Sequence, residues 1–196
     1  KKYWHFIKVM GRSASHVALE CALETQPNIC LISEEVAAKK MSLSAIADYI
    51  ADSVEARAAK GMNFGIAVIP EGVVEFVPEF SVLIHEINEL LAGSKADAFN
   101  ALPTWEDKYA FIEKGLTKES MEVFAILPTA IQQQLFLERD PHGNVQVSLI
   151  ESEKLFSALV ADKLAARKAA GTYKGKFSAL HHFLGYEGRC AFPSNF

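Results

Sequence analysis

The 196-residue sequence has little that would indicate a disulfide framework, a structural metal site or a membrane segment. Its three cysteines, Cys21, Cys30 and Cys190, lie far apart without Cys-x-x-Cys spacing, and no histidine stands beside them at ligand spacing. Such dispersed thiols are typical of a reduced intracellular chain. No apolar run is long enough to cross a bilayer, and His5 and Lys8 interrupt the first apolar stretch, unlike a signal peptide. These features predict a cytoplasmic protein.

The sequence also lacks the patterns of nucleotide and nucleic-acid binding. Twenty Lys and Arg residues against 24 Asp and Glu residues give a formal net charge of -4, so there is no basic footprint for nucleic acid or a membrane surface. Neither a Walker loop nor a Gly-x-Gly-x-x-Gly string occurs. A self-contained nucleotide site is therefore unsupported.

Short apolar runs alternate with stretches of helical period along the chain. The four runs that predict strands are Tyr3–Val9, Asn28–Ile32, Phe64–Ile69 and Phe177–Leu184. Helices are predicted between them and beyond, at Ser15–Glu24, Leu43–Lys60, Pro78–Leu91 and Glu151–Ala170. This alternation predicts an α/β fold with a mostly parallel sheet flanked by helices.

The length suits one sizeable domain, so we expect residues 1–196 to form a single α/β substrate-binding domain. A polar to mixed stretch with Pro103 and Pro128 has no strand signal and predicts a helical insertion at about residues 94–143. The turn cluster Asp140–Asn144 ends it. Both ends of the sequence are abrupt, which predicts a segment of a longer enzyme.

Ligands of parallel α/β folds gather at the carboxyl ends of the strands, and the loops there begin at Met10, Ser33, Pro70 and Gly185. In the first loop, Gly11 permits a tight turn and Arg12 offers a planar donor fork that suits phosphate oxygens. Ser13 and Ser15 can cap the following helix. The alternative is an ordinary turn with a surface arginine.

Two further loops carry polar groups of the same kind. Glu71 follows the third predicted strand and can accept hydrogen bonds from sugar hydroxyls, although a solvated turn glutamate is the alternative. The last loop, Gly185–Arg189, again pairs glycine with arginine. Together these loops predict a pocket for a phosphorylated sugar. The pair His181-His182 predicts one core and one edge histidine rather than metal ligands, and Glu34-Glu35 predicts a solvated loop.

Five strings of the sequence resemble the pyrophosphate-dependent 6-phosphofructokinases, in their long-chain branch. They are Met10–Leu23, Ser33–Ala37, Ile69–Gly72, Leu137–Ser148 and Gly185–Phe196. They occur in the family's order, and the resemblance covers nearly the whole chain apart from roughly residues 94–122.

The resemblance implies a glycolytic transferase that moves a phosphoryl group from pyrophosphate to the 1-hydroxyl of fructose 6-phosphate with magnesium. It also implies that this chain is the second, fructose-6-phosphate-binding domain. By position in the matched strings, the implied substrate-binding residues are Met10, Gly11, Arg12, Glu71, Tyr186, Glu187, Gly188 and Arg189. Lys2 and Tyr3 match a position that reaches the substrate on a partner subunit, which implies a homodimer or higher oligomer.

The family's Gly-Gly-Asp and Pro-Lys-Thr-Ile-Asp motifs are missing from this sequence. The resemblance therefore places the catalytic aspartate, the pyrophosphate ligands and the magnesium ligands outside it, and we expect no catalytic or metal-binding residue in the chain and no activity of the chain alone. Two alternatives stay open: part of a non-catalytic regulatory subunit of the same family, and a stand-alone sugar-phosphate-binding module. The sequence does not by itself identify the phosphoryl donor.

Overall fold

The computed structural model describes residues 2–11, 14–92, 94–140 and 143–185. Within them it has one four-stranded sheet in the order β2-β3-β1-β4, and every strand pair in it is parallel. The strands are β1 (Trp4–Val9), β2 (Ile29–Cys30), β3 (Gly65–Pro70) and β4 (Ala179–Leu184). The predicted α/β fold is confirmed, and each strand lies inside or within one residue of an apolar run that predicted it.

Helices follow the predicted periodicity closely. In the described residues they are α1 (His16–Thr25), α2 (Ser33–Ala38), α3 (Leu43–Ala59), α4 (Pro78–Leu90), α5 (Ser94–Asn100), α6 (Trp105–Gly115), α7 (Lys118–Ala125), α8 (Thr129–Leu137) and α9 (Ser152–Ala169). Short 3-10 helices occupy Val73–Phe76 and Val147–Leu149. Helix α3 shows why the ends fall where they do: Ser42 accepts a hydrogen bond from the amide of Ala45 at its start, and Gly61 takes φ +75° just after its end.

The two faces of the sheet are covered by different helices. Helix α9 packs on β1 and β4 and also contacts α3, whereas α1 contacts β2 and β3. Trp4 and Phe6 are fully buried because their β1 positions share one face. At Gly65, beside Trp4, a Cβ atom would lie 2.6 Å from the indole ring. The lack of a side chain at Gly65 therefore leaves room for the indole ring of Trp4 on the neighbouring strand.

The residue contacts divide the chain into two compact units. One comprises residues 1–77 together with residues from 151 onward and holds the sheet. The other, Pro78–Ile150, consists of helices and has its own aromatic core, in which the rings of Phe99 and Phe124 lie 5.3 and 5.6 Å from that of Phe136. The residues predicted as a helical insertion carry the helices α5 to α8, and the assignment of the chain to a single domain with that insertion stays a prediction.

A buried ion pair lies under the sheet. The ammonium group of Lys8 in β1 is 3.8 Å from a carboxylate oxygen of Glu153 in α9, and both side chains are only 5–6% exposed. The ammonium also lies 4.5 Å from the centre of the Phe183 ring. Removing charge from water is costly unless it is paired, so each charge depends on the other.

The predicted environment of His181 and His182 is wrong, because both are exposed. Strand β4 has a neighbour on one side only, β1, and successive side chains of a strand point to opposite faces. His181 therefore reaches the Ser157 hydroxyl of α9 at 2.7 Å, whereas His182 stacks on His5 with 2.9 Å between ring nitrogens. No helix in the described residues is long and apolar enough to span a membrane.

Candidate functional site

The ends of three strands that are remote in sequence lie side by side at the carboxyl edge of the sheet. The amide of Met10 donates to the carbonyl of Leu184 at 3.1 Å, and the amide of Glu71 donates to the carbonyl of Val9 at 2.9 Å. Both bonds continue the parallel ladder one residue beyond the strands. The loops after β1, β3 and β4 therefore leave the sheet side by side, as the carboxyl-edge rule predicts.

Glu71 is a constrained residue of this edge. Its side chain turns back toward the first loop, and its Oε2 atom accepts a hydrogen bond from the amide of Gly11 at 3.1 Å. The residue is only 8% exposed. The alternative of a solvated turn glutamate is therefore wrong. An ionised carboxylate has about four acceptor positions, so the bond to Gly11 leaves capacity for hydroxyl donors of a ligand.

The first loop is also held at its far end. The Ser15 amide donates to Oε1 of Glu34 at 3.0 Å, while the Ser15 hydroxyl oxygen accepts from the amide of Ser33 at 2.8 Å. Ser15 and Ser33 are almost fully buried. The hydrogen bond from the Ser15 amide is the main cause that lowers the pKa of Glu34 below its ordinary value.

These contacts correct two sequence interpretations. Ser15 precedes α1 but its side chain makes no capping bond to that helix, because its hydroxyl is engaged by α2 instead. Glu34 lies in the first turn of α2 rather than in a solvated loop. These contacts could have been anticipated from the sequence, because Ser33 and Glu34 follow β2 and so lie at the same sheet edge as Gly11 and Glu71.

Several of the predicted binding residues lie outside the residues that the structure describes. They are Arg12 in the first loop and Tyr186, Glu187, Gly188 and Arg189 after β4. The described neighbours of each group are placed at the carboxyl edge: Gly11 precedes Arg12, and Leu184 ends β4 beside Met10. The roles of these residues in substrate binding stay predictions.

Comparison with known proteins shows which family this chain resembles. Over all 196 residues the chain is 55% identical to the pyrophosphate–fructose 6-phosphate 1-phosphotransferase of Treponema pallidum (strain Nichols). It is 51% identical over 195 residues to subunit beta 1 of the Arabidopsis thaliana protein of that name. The chain resembles pyrophosphate-dependent phosphofructokinases from end to end. The likeness thus also includes the helical stretch of residues 94–122, outside the five strings. No family model matches the chain.

The match covers only part of the relatives. The chain spans about a third of their length: 34% of the Treponema pallidum protein and 33% of the Arabidopsis thaliana subunit. Similarity also reaches a protein named as subunit alpha, from Solanum tuberosum, at 41% identity over 198 residues and 30% of its length. Both subunit types thus contain a counterpart of this chain.

Lys2 and Tyr3 lie at the opposite edge of the sheet from Gly11 and Glu71. They precede β1, where the Tyr3 carbonyl accepts from the amide of Gly65 and the Lys2 ammonium lies 5.3 Å from the centre of the Phe64 ring. The six residues of β1 separate them from the first loop by about 20 Å at the usual rise of a strand. Within one subunit they are therefore remote from the carboxyl edge.

The described residues contain no group of three or more His, Cys, Asp or Glu that could hold a metal ion. Cys21 and Cys30 are free thiols. Burial, and to a lesser extent the nearby Cys21, raises the pKa of the Cys30 thiol to about 11, so it stays protonated near neutral pH.

We expect Gly11→Ala to impair the first loop specifically. Gly11 has φ +139°, which L side chains rarely adopt, and an added Cβ would lie 3.1 Å from the carbonyl oxygen of Ala14. Such strain costs about 1–3 kcal/mol. If the full-length protein uses fructose 6-phosphate, as the resemblance implies, the Michaelis constant for it should rise about tenfold, measured by steady-state kinetics.

The matched control is Gly61→Ala. Gly61 also has positive φ, +75°, but a Cβ there would meet nothing within 4 Å, and it follows α3 far along the chain from the loop. This variant should lose about 1 kcal/mol of unfolding free energy and keep its Michaelis constants. Equal kinetic losses in the two variants would contradict a specific role for Gly11.

Proposed function

We propose that this chain is the fructose-6-phosphate-binding part of a pyrophosphate-dependent 6-phosphofructokinase, a glycolytic phosphotransferase. The full-length protein would transfer a phosphoryl group from pyrophosphate to the 1-hydroxyl of fructose 6-phosphate. The observation that carries the proposal is the 51–55% identity, along the whole chain, to proteins named for that reaction.

The geometry of the carboxyl edge supports sugar-phosphate binding. The loop after β1 contributes Met10, Gly11 and Arg12, and the loop after β3 contributes Glu71, fixed through its bond to Gly11. We propose that Arg12 holds the 6-phosphate and that Glu71 accepts from the sugar hydroxyls. An arginine offers paired donors that suit a phosphate, and a carboxylate offers acceptors that suit hydroxyls. The two side chains would therefore recognise the phosphate and the hydroxyl groups of the same ligand.

We assign the donor chemistry to residues outside this chain. The Gly-Gly-Asp and Pro-Lys-Thr-Ile-Asp strings that the resemblance associates with pyrophosphate and with the catalytic aspartate do not occur in the sequence. Magnesium would neutralise charge on the transferring phosphoryl group, and we place its ligands in the same missing part. The role of this chain is to bind and orient the acceptor sugar.

We further propose that the full-length protein is a cytoplasmic homodimer or higher oligomer. Lys2 and Tyr3, at the amino edge of the sheet, would contact the fructose 6-phosphate of a partner subunit, since within their own subunit they are remote from the carboxyl edge. The free thiols Cys21 and Cys30 are in keeping with a reducing compartment.

A regulatory subunit of the same family is the second candidate. The identity to beta subunits is 48–51% in Arabidopsis thaliana, Ricinus communis and Solanum tuberosum, against 41% to an alpha subunit. Because both subunit types contain this region, the upstream reading frame decides between them. A Pro-Lys-Thr-Ile-Asp string there would identify a catalytic chain.

The test of the proposed site is Arg12→Ala in the full-length protein. A hydrogen bond to a charged group contributes about 1.5–3 kcal/mol, so the Michaelis constant for fructose 6-phosphate should rise tenfold or more. The constant for pyrophosphate should stay within about twofold of the wild-type value because the donor binds elsewhere. Steady-state assays that vary each substrate in turn measure both constants.

Arg12→Lys serves as the conservative control, since it keeps the charge but loses the planar fork. Its loss should be smaller than that of Arg12→Ala. Equal losses toward both substrates would indicate a defect in folding or domain closure and would contradict the assignment of Arg12 to the sugar phosphate.

A further inference from the structure

Gly11 and Ser15, which stand on either side of Arg12 in the sequence, are each hydrogen-bonded to another element at the carboxyl edge. The Gly11 amide donates to Glu71. Ser15 exchanges two hydrogen bonds with the first turn of α2. Arg12, the residue to which we assign the phosphate, lies in sequence between the two attachments.

The second attachment is reciprocal, and we name it the Ser15–Glu34 clasp; its residues are Ser15, Ser33 and Glu34. The Ser33 amide donates to the Ser15 hydroxyl oxygen at 2.8 Å, and the Ser15 amide donates to Glu34 Oε1 at 3.0 Å. The reciprocity is similar to that of a capping box, in which a side chain and an amide exchange bonds within one helix. Here the exchange joins the residue before α1 to the first turn of α2.

The clasp takes Ser15 away from its own helix. Ser15 directly precedes α1, yet its side chain makes no capping bond there. Both serines are almost completely buried. If the Ser15 hydroxyl and the Ser33 amide separated, each would be left without a hydrogen-bond partner and without water to replace it, which costs free energy. The arrangement therefore fixes the backbone at Ser15 at the expense of capping α1.

We propose that Ser15 and Glu34 are positioning residues for the sugar-phosphate loop. They act by restraining the backbone at Ser15, three residues after Arg12 in the sequence, so that less of the loop remains to be ordered when phosphate binds. This inference rests on the proposed function, because it takes fructose 6-phosphate as the ligand. A loop that is already ordered loses less conformational entropy when the ligand binds. The clasp therefore raises affinity without adding a ligand contact.

Glu34 acts in its ionised form over the working pH range. The Ser15 amide holds the pKa of this carboxyl below its ordinary value, so its stabilising bond is present above the usual carboxyl range and is lost only as the pH falls through the lowered pKa. His16 also favours the charged form, and desolvation opposes it only weakly because Glu34 is exposed. Changes of pH near neutrality should therefore leave the clasp closed.

Four variants of the full-length protein test the proposal. Ser15→Ala and Glu34→Ala each remove one bond of the clasp and should raise the Michaelis constant for fructose 6-phosphate about three- to tenfold. The turnover number at saturating sugar phosphate and the constant for pyrophosphate should not change. Ser15→Thr and Glu34→Gln keep an acceptor oxygen at each position and should recover most of the affinity.

Asn63→Ala is the matched control for a structural effect. The Asn63 side chain accepts from the amide of Lys176 at 2.8 Å, so it too joins two distant segments through one side-chain oxygen. It lies just before β3, at the amino edge of the same unit. This variant should lose some stability, less than Ser15→Ala because its bond is exposed, and it should keep its Michaelis constants. An equal rise of the sugar-phosphate constant in Asn63→Ala would overturn the proposal.

A double-mutant cycle separates positioning from general damage. If the clasp acts by placing the loop of Arg12, Ser15→Ala should have little further effect in the Arg12→Ala background. Effects that multiply would mean that the clasp does not act through the phosphate contact, and would overturn the proposal.

Hydrogen exchange without substrate tests the clasp independently of the proposed reaction. In Ser15→Ala, the amides of residues 11–15 should exchange faster than in wild type, and in Asn63→Ala they should not. Unchanged exchange would overturn the positioning role even in an active enzyme. Faster exchange in a full-length protein that does not use fructose 6-phosphate would retain the clasp and refute only the proposed function.

Discussion

The 196-residue chain on its own should show no transfer from pyrophosphate to fructose 6-phosphate, whereas the full-length protein should be active. The chain spans about a third of its relatives and lacks the strings that the resemblance links to the donor site and the catalytic aspartate. If the general base and the groups that stabilise the transferring phosphoryl group lie outside the chain, as proposed, the main catalytic contributions are absent from it. A coupled assay with pyrophosphate and magnesium measures the difference.

Binding should also be weak. A phosphate held by one or two arginines on an open protein surface stays in contact with water, where charge pairing contributes little to binding. Calorimetry of the chain with fructose 6-phosphate should therefore detect millimolar affinity at most. The control is the Arg12→Ala form of the same chain. Turnover that survives repurification and disappears in that form would show that the chemistry resides in this chain after all.

The buried pair of Lys8 and Glu153 should give the largest change in stability. Lys8→Met or Glu153→Met alone removes one member of the buried pair, and breaking a buried pair in this way costs about 3–5 kcal/mol. The double variant removes both charges and keeps similar volumes, so it should recover most of that loss. Urea denaturation of the three variants and the wild-type chain gives the differences in unfolding free energy.

Lys154→Met provides the matched control, because Lys154 follows Glu153 directly and pairs with Glu151 at the surface, where its side chain is half exposed. An exposed pair contributes at most about 1 kcal/mol. A loss in Lys154→Met as large as that in Lys8→Met would indicate that burial is not what makes the Lys8 pair important. A double variant less stable than both single variants would contradict mutual dependence.

Most of the architecture could be predicted from the sequence because it is encoded locally. The period of apolar residues in Leu43–Lys60 predicts α3 to within one residue, since a helix needs only its own hydrogen bonds and a stripe for burial. The apolar runs before Met10 and before Glu71 predict strands, and strand–helix alternation then predicts parallel pairing. The carboxyl-edge rule in turn brought Gly11 and Glu71 to one place before any contact was known.

The sequence by itself therefore determined the fold class, the resemblance to a family and the loops that form the candidate site. Only the tertiary structure decided how those loops are joined. Three contacts depend on residues 18 to 145 positions apart: Ser15 binds α2 rather than capping α1, Glu34 accepts from the Ser15 amide, and Lys8 meets Glu153 under the sheet. Local propensity carries no information about such pairs, because a hydroxyl or a carboxylate is satisfied equally by any donor that the packed chain brings within reach.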